Sequence, residues 1–290
     1  MAPGPVRLAA RLDEVGFDSL WVSDHVVFPH ETTSRYPFAA DGKVTWPLDD
    51  AYLEPLVVLG AVAAATTRIA IGTSVLIAPM RNPVLLAKQA ATIDALSGGR
   101  LVLGVGAGWL REEFEALDAD FDARGEVLDE WISIARECWT GSAGPLEGRH
   151  YRLPGPIYSR PAPEGGIPIL IGGMSRRALR RAAAANGWLG QYALETMSER
   201  DVAAAVGVMR REGEETGLSP ASLDALRVVV RITGAAGRVE AVSSRLGTLA
   251  DAGATEVIVD VDWSDEAGPM RAADMLRAAA ARHYTGGSCK

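Results

Sequence analysis

Two glycine-rich segments and one histidine are the features of this sequence that could support chemistry. In the segment ILIGGMS, Gly172, Gly173 and Met174 stand between a predicted strand and a helix that Ser175 can cap. Glycines at this point let backbone amides approach an anion, and the positive end of the helix faces the same place, which predicts a phosphate site. A tight strand-to-helix turn without a ligand would use the same residues, so both interpretations stay open.

The second glycine-rich segment is GVGAG, residues 104–108, which is followed by Trp109. It fails the dinucleotide fingerprint because its spacing is G-x-G-x-G and no acidic residue ends a second strand about 20 residues later. We interpret it as a strand end without side chains, against which a flat ring system can lie; close packing is the alternative. A cofactor with a phosphate tail and a planar ring would explain both segments.

His25 directly follows a predicted strand and Asp24, which makes it a candidate acid or base. His30, His150 and His283 lie in a loop, a crossing and the last helix, without the spacing of a metal site, so we predict no metal. The motifs G-x-S-x-G and H-E-x-x-H are absent. An enzyme with this sequence is therefore expected to take its reactivity from a cofactor.

Strand-like and helix-like stretches alternate along the chain, which predicts an α/β fold with a parallel sheet. The predicted strands cover 19–22, 68–77, 100–106, 167–173, 188–192, 226–232 and 256–261. The predicted helices cover 8–15, 56–66, 83–96, 122–139, 175–186, 198–216, 238–252 and 269–282.

This succession predicts a (β/α)8 TIM barrel, with residues 1–290 as a single domain. One strand is missing, because the chain begins directly at the expected first helix. Either the first strand was lost to a late start, or residues 1–6 replace it poorly. The active site of such a barrel lies at the carboxyl ends of the strands, where His25 and both glycine-rich segments fall.

Composition and charge exclude several classes of protein. The 290 residues include 29 Lys and Arg against 37 Asp and Glu, a net charge of −8, so we expect neither nucleic-acid binding nor attachment to an anionic membrane. The longest apolar run, 56–65, is about half a membrane span, and no signal sequence is evident. Cys138 and Cys289 cannot form a disulfide framework, which favours the cytoplasm.

The segment from Pro29 to Pro55 is too long for an ordinary connection between a strand and a helix. It contains Tyr36, Trp46 and Tyr52. Loops of this length are often functional, so we expect a lid over the active site. The alternative is an ordered surface loop or a segment that contacts the second subunit of a dimer.

Four segments together resemble the bacterial luciferase-like family, specifically its branch that uses the deazaflavin coenzyme F-420. They are GFDSLWVSDHV, RIAIGTSVLI, RNPVLLAKQAATIDALSGGRLVLGVGAGW and ILIGG. The resemblance extends over nearly the whole chain and is most specific from Asn82 to Trp109. It implies a luciferase-like barrel, a small-molecule substrate and a homodimer that forms through barrel helices.

The resemblance also implies roles for individual residues. Asp24 and His25 match the pair that faces the deazaflavin ring, and Ser74 and Val75 match a bulge behind the ring that often contains a non-prolyl cis peptide in relatives. The remaining implied cofactor contacts are Ala107 and Gly108 at the ring edge and Gly172, Gly173 and Met174 at the phosphate.

One position departs from the family pattern. Trp109 stands where the sugar-phosphate dehydrogenases of this branch carry a proton-donating glutamate. We therefore expect an apolar pocket that includes Trp109, Trp46 and Gln191, with His25 as the catalytic acid or base. The expected activity is hydride transfer between coenzyme F-420 and an uncharged or aromatic small molecule. An FMN-dependent monooxygenase that uses reduced flavin and oxygen, and a non-catalytic flavin-binding or deazaflavin-binding protein, are the alternatives.

Overall fold

The computed structural model describes residues 4–39, 41–44, 46–260 and 267–283, with side chains described as far as residue 279. Cys289, and residues 1–3 of the expected strand substitute, lie outside the described part of the chain. The chain divides into two compact units, one of residues 19–168 and one that combines residues 1–18 with 169–290. We call them the 19–168 unit and the 169–290 unit.

The alternation of helices and strands predicted from the sequence is confirmed. The helices are α1 (Pro5–Val15), α2 (Pro55–Ala65), α3 (Pro83–Ser97), α4 (Arg111–Ala116), α5 (Arg124–Trp139), α6 (Arg176–Ala183), α7 (Glu199–Glu215), α8 (Pro220–Asp224), α9 (Val239–Ser243), α10 (Leu246–Asp251) and α11 (Ala267–His283). The strands are β1 (Ser19–Val22), β2 (Ala70–Ile77), β3 (Leu101–Gly106), β4 (Ser142–Ala143), β5 (Leu146–Glu147), β6 (Arg152–Leu153), β7 (Ile157–Tyr158), β8 (Ile169–Gly172), β9 (Gly187–Ala193), β10 (Arg227–Thr233) and β11 (Glu256–Val259).

Three parallel strands form the core of the 19–168 unit. β1 pairs with β2 and β2 pairs with β3, so that the carboxyl ends of all three strands lie at one edge. Every residue of β3 is buried, as expected for a central parallel strand. This edge is where Asp24, His25 and residues 107–109 leave the sheet.

The helix ends of the 19–168 unit follow the residues that predicted them. α3 begins with Pro83 after Asn82, whose side chain accepts hydrogen bonds from two backbone amides, and it ends at Gly98 in the left-handed conformation. α2 also begins with a proline, and the side chain of Glu54 caps it. Caps of this kind fix where each helix meets the sheet.

Two long connections between helices and parallel strands lie in the 19–168 unit. Between α5 and β8, in a stretch where the sequence predicted neither helix nor strand, β4 pairs with β7 and β5 with β6 as short antiparallel ladders. The segment between β1 and α2 contains neither helix nor strand in its described residues, 23–39, 41–44 and 46–54. The lid expected from Pro29 to Pro55 lies in this connection as far as the start of α2, and its role over an active site stays a prediction.

Four parallel strands form the core of the 169–290 unit, with pairs between β8 and β9, β9 and β10, and β10 and β11. The short helix α8 was not predicted, and the predicted helices of this unit begin and end near the expected residues with one exception. The helix expected over 238–252 is interrupted after Ser243 and resumes at Leu246. At this break the guanidinium of Arg245 binds the Glu199 carboxylate at 2.7 Å and the Met197 carbonyl at 2.8 Å. Among the described residues, no helix has the length and apolar character needed to cross a membrane.

Candidate functional site

His25 lies three residues after the end of β1, with 8% of its surface exposed. Its Nδ1 is 2.9 Å from Oε2 of Glu113, a buried carboxylate on α4. The other carboxylate oxygen of Glu113 accepts hydrogen bonds from the backbone amides of Val26 at 2.5 Å and Val27 at 3.4 Å. The structure thus pairs the predicted acid or base with a glutamate 88 positions away.

Aromatic side chains surround the His25 ring. Its centroid lies 4.4 Å from that of Phe28, 5.7 Å from that of Tyr52, 6.0 Å from that of Trp109 and 6.3 Å from that of Trp46. Two of these residues, Trp46 and Trp109, are predicted pocket residues, and the structure brings both to His25. An imidazole in such an apolar surround is shielded from water, which strengthens its electrostatic interactions.

Tyr36 links the two tryptophans across the long connection. Its ring centroid is 5.1 Å from that of Trp46 and 5.2 Å from that of Trp109. The indole Nε1 of Trp46 is buried and has no hydrogen-bond partner among the described residues. Buried indole N–H groups usually have an acceptor, so this atom marks a place where an acceptor from outside the chain would fit.

Asp24, next to His25, is committed to a buried ion pair. Arg81 donates to it through both terminal nitrogens, at 2.6 and 2.8 Å, and the amide of Ile77 donates at 2.8 Å. Burial raises the pKa of the Asp24 carboxyl, and the Arg81 guanidinium opposes that rise. The Asp24 side chain has no exposed surface and holds the end of β2 beside His25. Its contact with the cofactor ring stays a prediction.

Ser74 and Val75 form the bulge that the resemblance implies. The register between β2 and β3 shifts between Thr73 and Leu76, and the peptide bond between Ser74 and Val75 is cis. A Cβ atom on Gly106 would lie 2.8 Å from Cγ2 of Val75, so the valine side chain covers this glycine. That these residues back a cofactor ring stays a prediction.

Gly108 has a φ of +88°, and a Cβ atom there would lie 2.7 Å from the ring of Phe114 and 2.8 Å from Cγ2 of Ile77. Close packing, the alternative interpretation of GVGAG, therefore already accounts for this glycine and for Gly106. Ala107 and Gly108 are only half-buried, which leaves their backbone atoms able to contact a ligand. Their contact with a ring edge stays a prediction.

Glu112, next to Glu113 on α4, binds the middle of the long connection. Its Oε1 accepts from the Thr33 amide at 2.6 Å and from the Thr33 hydroxyl at 2.8 Å, while Oε2 accepts from the Ser34 hydroxyl at 2.7 Å. Burial alone would raise the pKa of Glu112, but these hydrogen bonds outweigh it and lower the pKa to about 2. Two adjacent glutamates thus fasten the connection at two points, residues 26–27 and 33–34.

The predicted phosphate turn lies in the 169–290 unit. Gly173 has a φ of +115°, and the Ser175 side chain accepts a hydrogen bond from the Ala178 amide at 3.2 Å, so Ser175 caps α6 as predicted. Gly172 ends β8, and Met174 is 39% exposed. The turn has the form that either a phosphate site or a plain strand-to-helix turn requires, and phosphate binding stays a prediction.

Gln191 lies on β9 of the same unit, where it is half-buried. Next to it, burial raises the pKa of the Tyr192 phenol, whose oxygen has no hydrogen-bond partner among the described residues. The role of Gln191 in a substrate pocket stays a prediction. Nor do the described residues include any group of three or more His, Cys, Asp or Glu that could hold a metal ion.

Sequence reasoning missed Glu113 and Arg81, the two charged partners of the His25–Asp24 pair. Glu113 stands in the first turn of α4, where acidic residues are common because they suit the helix dipole, so its type alone gave no signal. Arg81 follows a short 3-10 turn, Ala78–Met80, and its pairing spans 57 positions. Neither the pair of His25 and Glu113 nor the pair of Asp24 and Arg81 forms a sequence motif, because only the fold brings these residues together.

Comparison with known proteins places the chain in a family. The family model described as luciferase-like monooxygenase matches residues 4–282. An uncharacterised protein of Mycobacterium tuberculosis is 38% identical over 184 residues, which cover 63% of this chain and 64% of that protein. An F-420-dependent glucose-6-phosphate dehydrogenase of Amycolatopsis mediterranei is 37% identical over 171 residues, covering 57% of this chain and 46% of that enzyme. The matched region is thus less than two thirds of either relative.

Solved structures agree in fold. An F-420-dependent secondary alcohol dehydrogenase in complex with an F-420–acetone adduct superposes with a TM-score of 0.71 at 16% identity, over 96% of this chain and 94% of the other. The FMN-bound oxygenating constituent of 3,6-diketocamphane monooxygenase from Pseudomonas putida superposes with a TM-score of 0.70 at 15% identity, over 94% and 90% of the two chains. The likeness shows the α/β barrel fold, of whose eight strands seven are present in the described residues.

The match over residues 4–282 agrees with the motifs singled out from the sequence, and the fold agrees with the strand and helix order. This chain belongs to the luciferase-like monooxygenase family.

Proposed function

We propose that this protein is a deazaflavin-dependent oxidoreductase that uses coenzyme F-420 to transfer a hydride to or from an uncharged or aromatic small molecule. The observation that carries the proposal is His25, held by Glu113 within an aromatic surround that includes Trp46 and Trp109. A single imidazole in apolar surroundings can move a proton without offering a binding site to a charged sugar phosphate.

The residues of the 19–168 unit suit a flat ring that bears carbonyl oxygens. The buried N–H of Trp46 needs an acceptor that the described chain does not provide, and an oxygen of a bound ring or substrate would supply it. The bulge at Ser74 and Val75 and the half-buried backbone of Ala107 and Gly108 are further candidate contacts. When bound, the deazaflavin accepts or donates the hydride at its carbon 5.

The chain's own residues would orient the substrate, exclude water and handle the proton. The aromatic side chains around His25 exclude water, and His25 takes up or returns the proton that accompanies hydride transfer. The ring of Trp109 is one of these aromatic side chains, and its centroid lies 6.0 Å from that of the His25 ring. An aromatic or apolar substrate is favoured for this reason.

The test compares His25→Ala with His30→Ala, a matched control in the exposed part of the same connection. We expect His25→Ala to retain deazaflavin binding but to lose about 10²–10⁴-fold in turnover, the usual contribution of a general acid or base. His30→Ala should match the unaltered protein in both measurements. Full activity of His25→Ala would remove His25 from the mechanism.

The phosphate of the cofactor is assigned separately to Gly172, Gly173 and Met174. Support comes from the left-handed conformation of Gly173 and from the capped helix that follows it, whose amides can face an anion. Gly173→Ala should weaken binding of F-420 but leave unchanged the binding of a deazaflavin that lacks the phosphate tail. Equal weakening for both ligands would contradict a phosphate role.

An FMN-dependent monooxygenase is the second candidate, because the family is described as luciferase-like monooxygenase and one structural neighbour is a monooxygenase in complex with FMN. Reduced FMN and the deazaflavin share a ring outline and a phosphate, so both suit the same residues. Tighter binding of reduced FMN together with an oxygen-dependent product would favour this candidate. Saturable binding without turnover over a broad substrate panel would instead indicate a non-catalytic binding protein.

A homodimer and a cytoplasmic location complete the proposal. The packed helices α2 and α3 expose Val57 at 73%, Leu85 at 59% and Leu96 at 58%, an apolar outer face suited to a second copy of the chain. Light scattering should give the mass of two chains, and Val57→Glu should lower it to one. The buried free thiol of Cys138 is compatible with a reducing compartment.

A further inference from the structure

Glu113 makes contacts that a residue serving only to anchor a loop would not need. It is 2% exposed, and its two carboxylate oxygens have different partners: Oε1 accepts from backbone amides at the start of the long connection, and Oε2 lies 2.9 Å from Nδ1 of His25. No described residue makes a hydrogen bond to Nε2 of His25. One ring nitrogen is thus held, and the other is left for a reacting group.

Glu113 accepts hydrogen bonds from the amides of Val26 and Val27, and an ionised carboxylate can only accept. With Glu113 as the acceptor, its contact with His25 requires a proton on Nδ1 of the imidazole. A neutral imidazole with its proton on Nδ1 has its lone pair on Nε2. We propose that Glu113 is a positioning residue that fixes His25 in this tautomer, so that proton transfer takes place at Nε2. The part of this inference that concerns turnover rests on the proposed function, whereas the tautomer itself does not.

The adjacent Glu112 provides a matched control within the same helix. It also binds the long connection through backbone amides and hydroxyls, but it contacts Thr33 and Ser34 rather than His25. Changing Glu112 to Gln therefore weakens the anchoring of the connection and leaves the imidazole partner in place. A change in the His25 tautomer found for Glu113 and not for Glu112 belongs to the contact with His25.

The substitution Glu113→Gln should reverse the tautomer. The amide oxygen can still accept from the Val26 amide, and the amide nitrogen then faces Nδ1 of His25 and must donate to it. The imidazole proton would therefore move to Nε2, where it blocks proton uptake. In serine proteases, a comparable change of the triad carboxylate to an amide leaves the histidine in the wrong tautomer and costs about 10⁴-fold in turnover.

The direct test is nitrogen NMR of the imidazole groups in the full-length protein without cofactor, at a pH where the rings are neutral. The chain has four histidines, and the signals of His25 are assigned from their loss in His25→Gln. We expect a proton on Nδ1 in the unaltered protein and in Glu112→Gln, and a proton on Nε2 in Glu113→Gln. A proton on Nε2 of the unaltered protein overturns the inference without the need for any folded variant.

Turnover provides the second measurement. Glu113→Gln should lower kcat by about 10²–10⁴-fold with cofactor binding unchanged, and Glu112→Gln should leave kcat within a few-fold. An unchanged kcat in a Glu113→Gln variant whose tautomer has reversed would overturn the positioning role. A correct tautomer in a protein that never reacts with F-420 would instead refute the proposed function and leave the tautomer assignment standing.

Discussion

The ion pair between Asp24 and Arg81 should dominate the stability of the region around His25. Arg81→Met removes the two charge-assisted hydrogen bonds, of 2.6 and 2.8 Å, and leaves the Asp24 carboxylate with the Ile77 amide alone. Removing one partner of a buried pair usually costs about 3–5 kcal/mol, because the remaining charge stays buried without compensation. With an unfolding entropy of about 2.1 cal/mol/K per residue, the loss corresponds for a chain of 290 residues to a fall in Tm of roughly 5–8 °C.

The pH dependence of this loss gives a more specific test. Arg81 opposes the rise in the pKa of Asp24 that burial causes, so its removal lets that pKa rise further above the ordinary value of 3.8. A buried carboxyl whose pKa is raised destabilises the fold above that pKa, and protonation relieves the penalty as the pH falls through it. The difference in unfolding free energy between the two proteins should therefore be largest at neutral pH and should narrow on acidification.

Chemical denaturation followed by circular dichroism measures these differences at a series of pH values. The double variant Asp24→Asn with Arg81→Met is the control, and it should recover part of the loss because a neutral amide costs less to bury than a charge. A loss of less than about 1 kcal/mol for Arg81→Met, or a difference that widens in acid, would refute the reasoning.

Two further predictions concern backbone conformation and a surface network. Gly98→Ala should cost about 1–2 kcal/mol for its left-handed conformation alone, while Gly108→Ala should cost about 1–3 kcal/mol more because its Cβ would overlap the ring of Phe114; equal losses in urea denaturation would contradict this. The Arg245 guanidinium lowers the pKa of Glu199 to about 2, so the stability that this ion pair provides should be present above pH 4.5, the ordinary pKa, and lost as the pH falls towards 2. The free energy of unfolding of Arg245→Met should therefore approach that of the unaltered protein in acid, and a gap between the two that stays the same in acid would contradict this prediction.

The order of elements could be predicted from local signals, because proline and glycine mark the ends of α3 and β-branched residues mark β2. The interruption of the helix expected over 238–252 could not, since it coincides with contacts of Arg245 to residues about 46 positions away. His25 was identified from its place after β1. Its partner Glu113 was not identified, because a contact between residues 88 positions apart depends on the fold and forms no motif in the sequence.

For GVGAG the sequence left two interpretations open, a strand end against which a flat ring lies and close packing, and the structure packs Val75, Phe114 and Ile77 beside Gly106 and Gly108. Contact of Ala107 and Gly108 with a ring stays a prediction. A glycine that close packing requires and a glycine that a ligand requires are the same residue in a sequence, so only the structure distinguishes them. For one aromatic residue beside His25, the sequence alone was sufficient. Trp46 was named as a pocket residue from the long connection that carries it, and it lies beside His25 in the structure.

Equilibrium titration of the purified protein with oxidised F-420 and, in a parallel anaerobic experiment, with reduced FMN tests most directly whether a deazaflavin is the cofactor of this chain. We expect saturable binding of F-420 at micromolar concentrations or below, tighter than that of reduced FMN, with hydride transfer to or from an apolar substrate. Tighter binding of reduced FMN with an oxygen-dependent product, or no saturable binding of either ligand, would contradict the assignment.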